Sequence, residues 1–188
     1  MKWNPADFEY YDRLPGERKR KAWEALTPDQ RKLWNEQWNF RNFAKIVPLD
    51  IDARTIESCC PPEPDIRCRI SGKPHYFELA EVTDENLARR VGIAAKQGKD
   101  TFAGPFLQLE PLCRTYNQKC SKEYKTDGYD LHLLLYYSTQ VPYTEGLREE
   151  ISKLRDEIEQ KLRQSPFRSA WLYDGWSEAI IERVQFVA

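Results

Sequence analysis

The chain has 188 residues, 40% apolar and 31% charged, with 29 Lys and Arg against 30 Asp and Glu for a formal net charge of −1. This length fits one domain with a substantial core, and six Trp and ten Tyr argue against a disordered chain. The balanced charge excludes a globally basic nucleic-acid binder, so any polyanion site has to be a local patch. No apolar run is long enough to cross a bilayer, and Met1-Lys2-Trp3-Asn4-Pro5 has no signal-peptide character, so a cytoplasmic protein without a membrane partner is expected.

Residues 1–14 are aromatic-rich and irregular, and the basic run Glu17-Arg18-Lys19-Arg20-Lys21 leads into a short helix ending near Leu26. Thr27-Pro28-Asp29-Gln30 is a helix start, with Thr27 as N-cap and Gln30 at the capping-box position. That helix is predicted to run to about Ala44 and to bury Leu33, Trp34, Trp38 and Phe43. Lys45 to Ile51 reads as a short extended segment and Asp52 to Cys60 as one helical turn before Pro61-Pro62.

Pro61 to Val82 reads as a β-hairpin, with two runs of β-branched and aromatic residues flanking Ser71-Gly72-Lys73-Pro74. With Gly72 and Lys73 as the turn, Ile70 faces His75, Cys68 faces Phe77, Arg67 faces Glu78 and Asp65 faces Ala80. Alternation then gives one apolar face of Ile66, Cys68, Ile70, Phe77 and Leu79. The other face carries Asp65, Arg67, Arg69, Tyr76, Glu78 and Ala80, and so places two carboxylates near one another. Glu78 paired with Arg67 would be an ordinary exposed ion pair; an acidic pair on adjacent strands also suits a hard divalent cation.

Thr83-Asp84-Glu85-Asn86 opens a further helix ending near Gln97-Gly98, and residues 101–109 read as loop. A second helix is predicted from Glu110-Pro111 to Tyr124, carrying Lys119 and Lys122 three residues apart. Asp130 to Tyr137 is a near-continuous apolar run, the pattern of a strand buried on both faces. Leu147, Ile151, Leu154, Ile158 and Leu162 recur at helical spacing across 144–164. Phe167 to Tyr173, a turn at Asp174-Gly175, and Trp176 to Phe186 read as a closing hairpin. The five cysteines contain no CxxC pair and read as free thiols; His75 and His132 stand alone in strand-like runs.

Pro64-Asp65, the turn, and Glu78-Leu79-Ala80 resemble the motif of the PD-(D/E)XK nuclease superfamily. The resemblance implies a restriction-endonuclease-like α/β (α+β) fold, a mixed central sheet flanked by helices, over residues 45–188 of a single domain. Residues 1–45 would then be an N-terminal helical extension. It implies Asp65 and Glu78 as ligands of Mg or Mn, and a glutamate from a helix, Glu36 or Glu57, as a further ligand. The family's lysine position is Ala80 here. A substitute ammonium is expected from Lys96, Lys99, Lys119 or Lys122, with Lys119 and Lys122 favoured because their helix precedes the buried strand. The expectation is a Mg-dependent endonuclease cleaving DNA or RNA, or an inactive relative. The alternative is a non-catalytic nucleic-acid- or protein-binding module on the same scaffold.

Overall fold

The structure is a computed structural model and describes residues 21–22, 24–83, 109–137, 144–175 and 177–185. Its strands are β1 (Ile51–Ser58), β2 (Ile66–Ile70), β3 (Lys73–Glu81), β4 (Asp130–Tyr137), β5 (Ser169–Asp174) and β6 (Ala179–Gln185). Its main helices are α1 (Pro28–Ile46), α2 (Leu109–Cys120), α3 (Thr144–Lys153) and α4 (Arg155–Arg163). The strands form one mixed six-stranded sheet in the order β1-β2-β3-β4-β5-β6, flanked by helices, an α+β fold with an N-terminal helix. Two compact units divide the chain, residues 1–79 with 124–132 and residues 80–123 with 133–188. No helix among the described residues is long and apolar enough to cross a membrane.

In the first unit, α1 begins as its sequence dictates. The Gln30 N–H donates to Thr27 Oγ1 at 3.2 Å and the Thr27 N–H donates to Gln30 Oε1 at 2.9 Å, satisfying two orphan donors of the first turn. The helix runs two residues past the predicted end, to Ile46, and Val47 then turns extended ahead of Pro48. Phe40 and Phe43 are fully buried and pack on Phe77 of β3, with ring centroids 4.8 and 6.2 Å away. Leu33, Trp34 and Trp38 are only half-buried, contrary to expectation. The two tryptophans stack on each other at 5.4 Å, and the inward side is completed by Glu36, Gln37, Asn39 and Asn42.

Of residues 52–60, predicted as a helical turn, 52–58 instead belong to strand β1, which pairs antiparallel with β2. The register shifts between Asp52 and Glu57, so the intervening residues form an irregularity. Asp52 accepts the Arg54 N–H at 3.1 Å, and Thr55 Oγ1 donates to the Asp52 carbonyl while accepting the Arg69 N–H at 2.8 Å. The turn-forming side chains that suggest a helix start thus serve the bulge.

Strand β4 has the predicted bounds, its first three residues belonging to the first unit and the rest to the second, and every residue from Leu131 to Tyr136 is buried. The predicted helix over 144–164 is two helices broken at Leu154, where φ is −102° and ψ 8°. The Leu154 N–H bonds to the carbonyl of Ile151, a tightened turn, and Tyr116 Oη donates to the Ile158 carbonyl at 2.8 Å. Leu147, Ile151 and Leu162 are buried, whereas Leu154 and Ile158 are half-buried. No Pro or Gly marks the break in the sequence. Helix α2 ends at Cys120, four residues short of expectation. The closing hairpin has a longer connection than Asp174-Gly175, because the Asp174 carboxylate accepts from Ser177 Oγ at 2.6 Å and Glu178 takes a φ of 51°. The helix predicted around Glu17–Leu26 lies half outside the described residues, with 21, 22 and 24 helical, and the one predicted over Thr83–Gln97 lies outside them beyond Thr83.

Candidate functional site

The candidate site lies in the first unit, and its geometry starts at the turn between β2 and β3. Ile66 pairs with Phe77, Arg67 with Tyr76, Cys68 with His75, Arg69 with Pro74 and Ile70 with Lys73. The turn is therefore Ser71-Gly72, not Gly72-Lys73. Both residues have positive φ, 48° and 80°, as a two-residue turn matched to strand twist requires. Relative to the predicted register the partners slip by two positions. A two-residue slip preserves which side chains share a face, but the second face is exposed only along β2, because Tyr76, Glu78 and Ala80 of β3 are buried. Ile66, Cys68 and Ile70 are buried and Arg67 and Arg69 are exposed.

Continuing the observed register by one pair sets Asp65 opposite Glu78 rather than opposite Ala80. Asp65 is held by its backbone and its side chain. Its carbonyl accepts the Cys59 N–H at 2.8 Å, and its carboxylate Oδ2 accepts the Leu79 N–H at 2.8 Å. Glu78 is buried, 6% exposed. Arg67, expected beside Glu78, bonds Glu57 on β1 at 2.7 Å, with both side chains about half exposed. That partnership raises the Arg67 guanidinium further above its ordinary value.

Of the two glutamates considered as a further acidic group, Glu57 is thus engaged on a strand with Arg67. Glu36 instead projects from α1 and is buried, 4% exposed. Its helix is locked to β1 by Gln37 Nε2, which donates to Ser58 Oγ at 2.8 Å, and by Arg41, which reaches the carbonyls of Ala53 and Ile56. Lys32, one turn before Glu36, places Nζ 3.5 Å from Glu36 Oε1. The Lys32 ammonium is held above its ordinary range chiefly by Glu36, opposed by partial burial and reinforced by Asp65 and Glu78. One ammonium thus feels the charge of three carboxylates drawn from α1, the start of β2, and β3.

Lys32 was not among the lysines picked out from the sequence. Its signal is the Lys32–Glu36 spacing of four on a helix, which normally denotes only a solvated pair. Ala80 is buried and supplies no donor. Lys119 lies in the last turn of α2, whereas Lys122 falls beyond the helix end and is exposed, so the shared helical face expected of them is absent. Both belong to the second unit, and Asp65 and Glu78 to the first. Lys96 and Lys99 lie outside the described residues.

Two opposed carboxylates suit a cation of the magnesium class, which takes one or two protein carboxylates and keeps several waters for exchange with phosphate oxygens. They do not make a closed cage, and among the described residues no three or more His, Cys, Asp or Glu side chains form a metal-binding group. The donors present fit an open, water-rich site. No protein-family model, curated protein or solved structure matches this chain.

Proposed function

We propose that the protein is a divalent-metal-dependent nuclease of the cytoplasm that cleaves phosphodiester bonds in DNA or RNA, with Asp65 and Glu78 as ligands of Mg or Mn. The observation that carries this reading is the β2–β3 register, which continued by one pair sets Asp65 opposite Glu78, together with the Leu79 N–H that fixes the Asp65 carboxylate. When bound, the metal would neutralise charge on a phosphate and lower the pKa of a coordinated water. The rest falls to the chain. Asp65, fixed by the Leu79 N–H, holds its carboxylate in place before any ligand arrives. Lys32 brings a positive charge to the acidic group and can meet phosphate oxygens through a side chain that is 71% exposed. It takes the part that Ala80 cannot. Glu36 orients that ammonium at the helix surface. Lys119 and Lys122 stand as the alternative cations.

The test is cleavage of plasmid DNA and of single-stranded RNA by the full chain, with Mg, with Mn and with chelator. Cutting should require metal, vanish in Asp65→Asn and Glu78→Gln, and fall at least tenfold in Lys32→Met. A larger loss in Lys119→Ala or Lys122→Ala than in Lys32→Met would move the cationic role to that lysine. Absence of cutting with either metal would overturn the enzymatic reading. Ala80 favours a second reading, a non-catalytic nucleic-acid- or protein-binding module. Nucleic-acid binding without cleavage, unchanged in Asp65→Asn, would establish it.

A further inference from the structure

His75 and His132 are 57 positions apart in sequence, yet their rings meet in the first unit with Nδ1 of His75 3.1 Å from Nε2 of His132. Adjacent strands bring this about, His75 lying on β3 and His132 on β4. The rings are stacked, with centroids 5.3 Å apart and planes inclined by 25°. His132 is also stacked on Phe77 at 4.8 Å and is 6% exposed, so its ring is held in place from two sides. Asp130, two residues before His132 and so on the same side of β4, places Oδ2 3.9 Å from His75 Nδ1.

We infer that His75 and His132 form an open site for a borderline divalent transition-metal ion of the zinc, nickel and cobalt class, distinct from the carboxylate pair. An ion bonded to both nitrogens at about 2.0–2.1 Å would subtend an N–metal–N angle of roughly 100°, between tetrahedral and octahedral values. The observed 3.1 Å separation is the nitrogen–nitrogen distance that such an angle requires. Imidazole selects these metals over magnesium, which prefers oxygen donors. Two protein nitrogens leave the other coordination positions to water, in keeping with the lack of any three-donor group among the described residues. The Asp130 carboxylate is 42% exposed and close enough to accept from a metal-bound water.

Chelator-treated full chain titrated with nickel, cobalt or zinc, each alone, tests the inference against a magnesium control. At a hundredfold excess over Kd, melting should rise by roughly 5–10 °C. The rise should be lost in His75→Gln, retained in Asp65→Asn, and weakened as pH falls and protons compete for the imidazoles. Cobalt should give visible d–d absorption without a thiolate charge-transfer band. No melting shift, a shift that survives His75→Gln, or a thiolate band would overturn the site and leave a hydrogen-bonded histidine pair only. Because His132 is buried and His132→Gln is the variant more prone to misfold, NMR of the wild-type histidine ring protons supplies a second readout. Both rings should shift or broaden at one equivalent of metal, and unperturbed rings would equally overturn the site.

Discussion

The Asp65 carboxylate accepts the Leu79 backbone N–H through Oδ2 at 2.8 Å, tying the residue just before β2 to the strand opposite. A hydrogen bond to a charged acceptor contributes about 1.5–3 kcal/mol. Asp65→Ala should lose stability of that order in urea unfolding, whereas Asp65→Asn, which keeps an oxygen acceptor, should lose about half as much. Both should lose magnesium-induced stabilisation. Equal unfolding midpoints for wild type and Asp65→Ala would mean that the bond contributes nothing.

The turn gives a second test. Ser71 and Gly72 both have positive φ, and a Cβ added at Gly72 meets nothing within 4 Å. Any cost of Gly72→Ala is therefore backbone strain, about 1–2 kcal/mol. Ser71→Asn places a residue that tolerates the left-handed region and should raise the melting temperature slightly. A stabilised Gly72→Ala would contradict the turn geometry and with it the register that opposes Asp65 and Glu78.

The hairpin shows how far the sequence reaches. Which side chains share a face is legible from alternation alone and survives a turn misplaced by one residue, because both strands keep their parity; that β3 is buried on both faces is not. The partner of Asp65 is not legible, since it depends on whether Ser71 or Lys73 joins Gly72 in the turn. Strand β4 is legible because uninterrupted apolar residues have few other uses. Strand β1 is not, because Asp52 and Thr55 hydrogen-bond locally in a bulge and so imitate a helix start. The Glu36–Lys32 pair is visible as helical spacing, but the influence of Asp65 and Glu78 on that ammonium is tertiary. The meeting of His75 with His132 has no local signal.

Ile151 is 4% exposed and lines an apolar cavity with Leu135, Tyr116 and Trp171. Ile151→Asp would bury an unpaired charge at a cost of several kcal/mol, on the order of the whole stability of a marginal domain. Ile151→Val should cost only about 0.5–1.5 kcal/mol. Thermal melting of the two variants checks the contrast, and an unchanged melting temperature in Ile151→Asp would place the side chain outside the core.

Thiol chemistry reports on the first unit separately. Cys60 is exposed, whereas Cys68 is 1% exposed and burial pushes its thiol up to about 12. The thiolate is the reactive form, so at pH 8 under native conditions an alkylating reagent should modify Cys60 rapidly and Cys68 only through opening of the structure. Mass spectrometry of timed digests reads the order. Labelling of Cys68 as fast as Cys60 would show that the β2–β3 hairpin does not hold its apolar face closed.

The pH dependence of Lys32 follows from its surroundings. Its folded-state pKa is raised above the ordinary 10.5, chiefly by Glu36. The stabilisation is therefore fully present below the unfolded value and is lost as pH climbs through the folded one. The side chain is 71% exposed, so solvent screening keeps the contribution under about 1 kcal/mol. Lys32→Gln should be slightly less stable than wild type at pH 8, with the gap closing as pH climbs past the ordinary lysine value of 10.5 and shrinking in high salt. The same substitution removes a positive charge that acts on Asp65 and Glu78, so it should tighten magnesium binding even as it slows cleavage. Tighter metal binding with slower cutting is a combination that a merely structural lysine would not produce. If Lys32→Gln instead weakens magnesium-induced stabilisation, the ammonium acts by holding the carboxylates in place and not by meeting the phosphate.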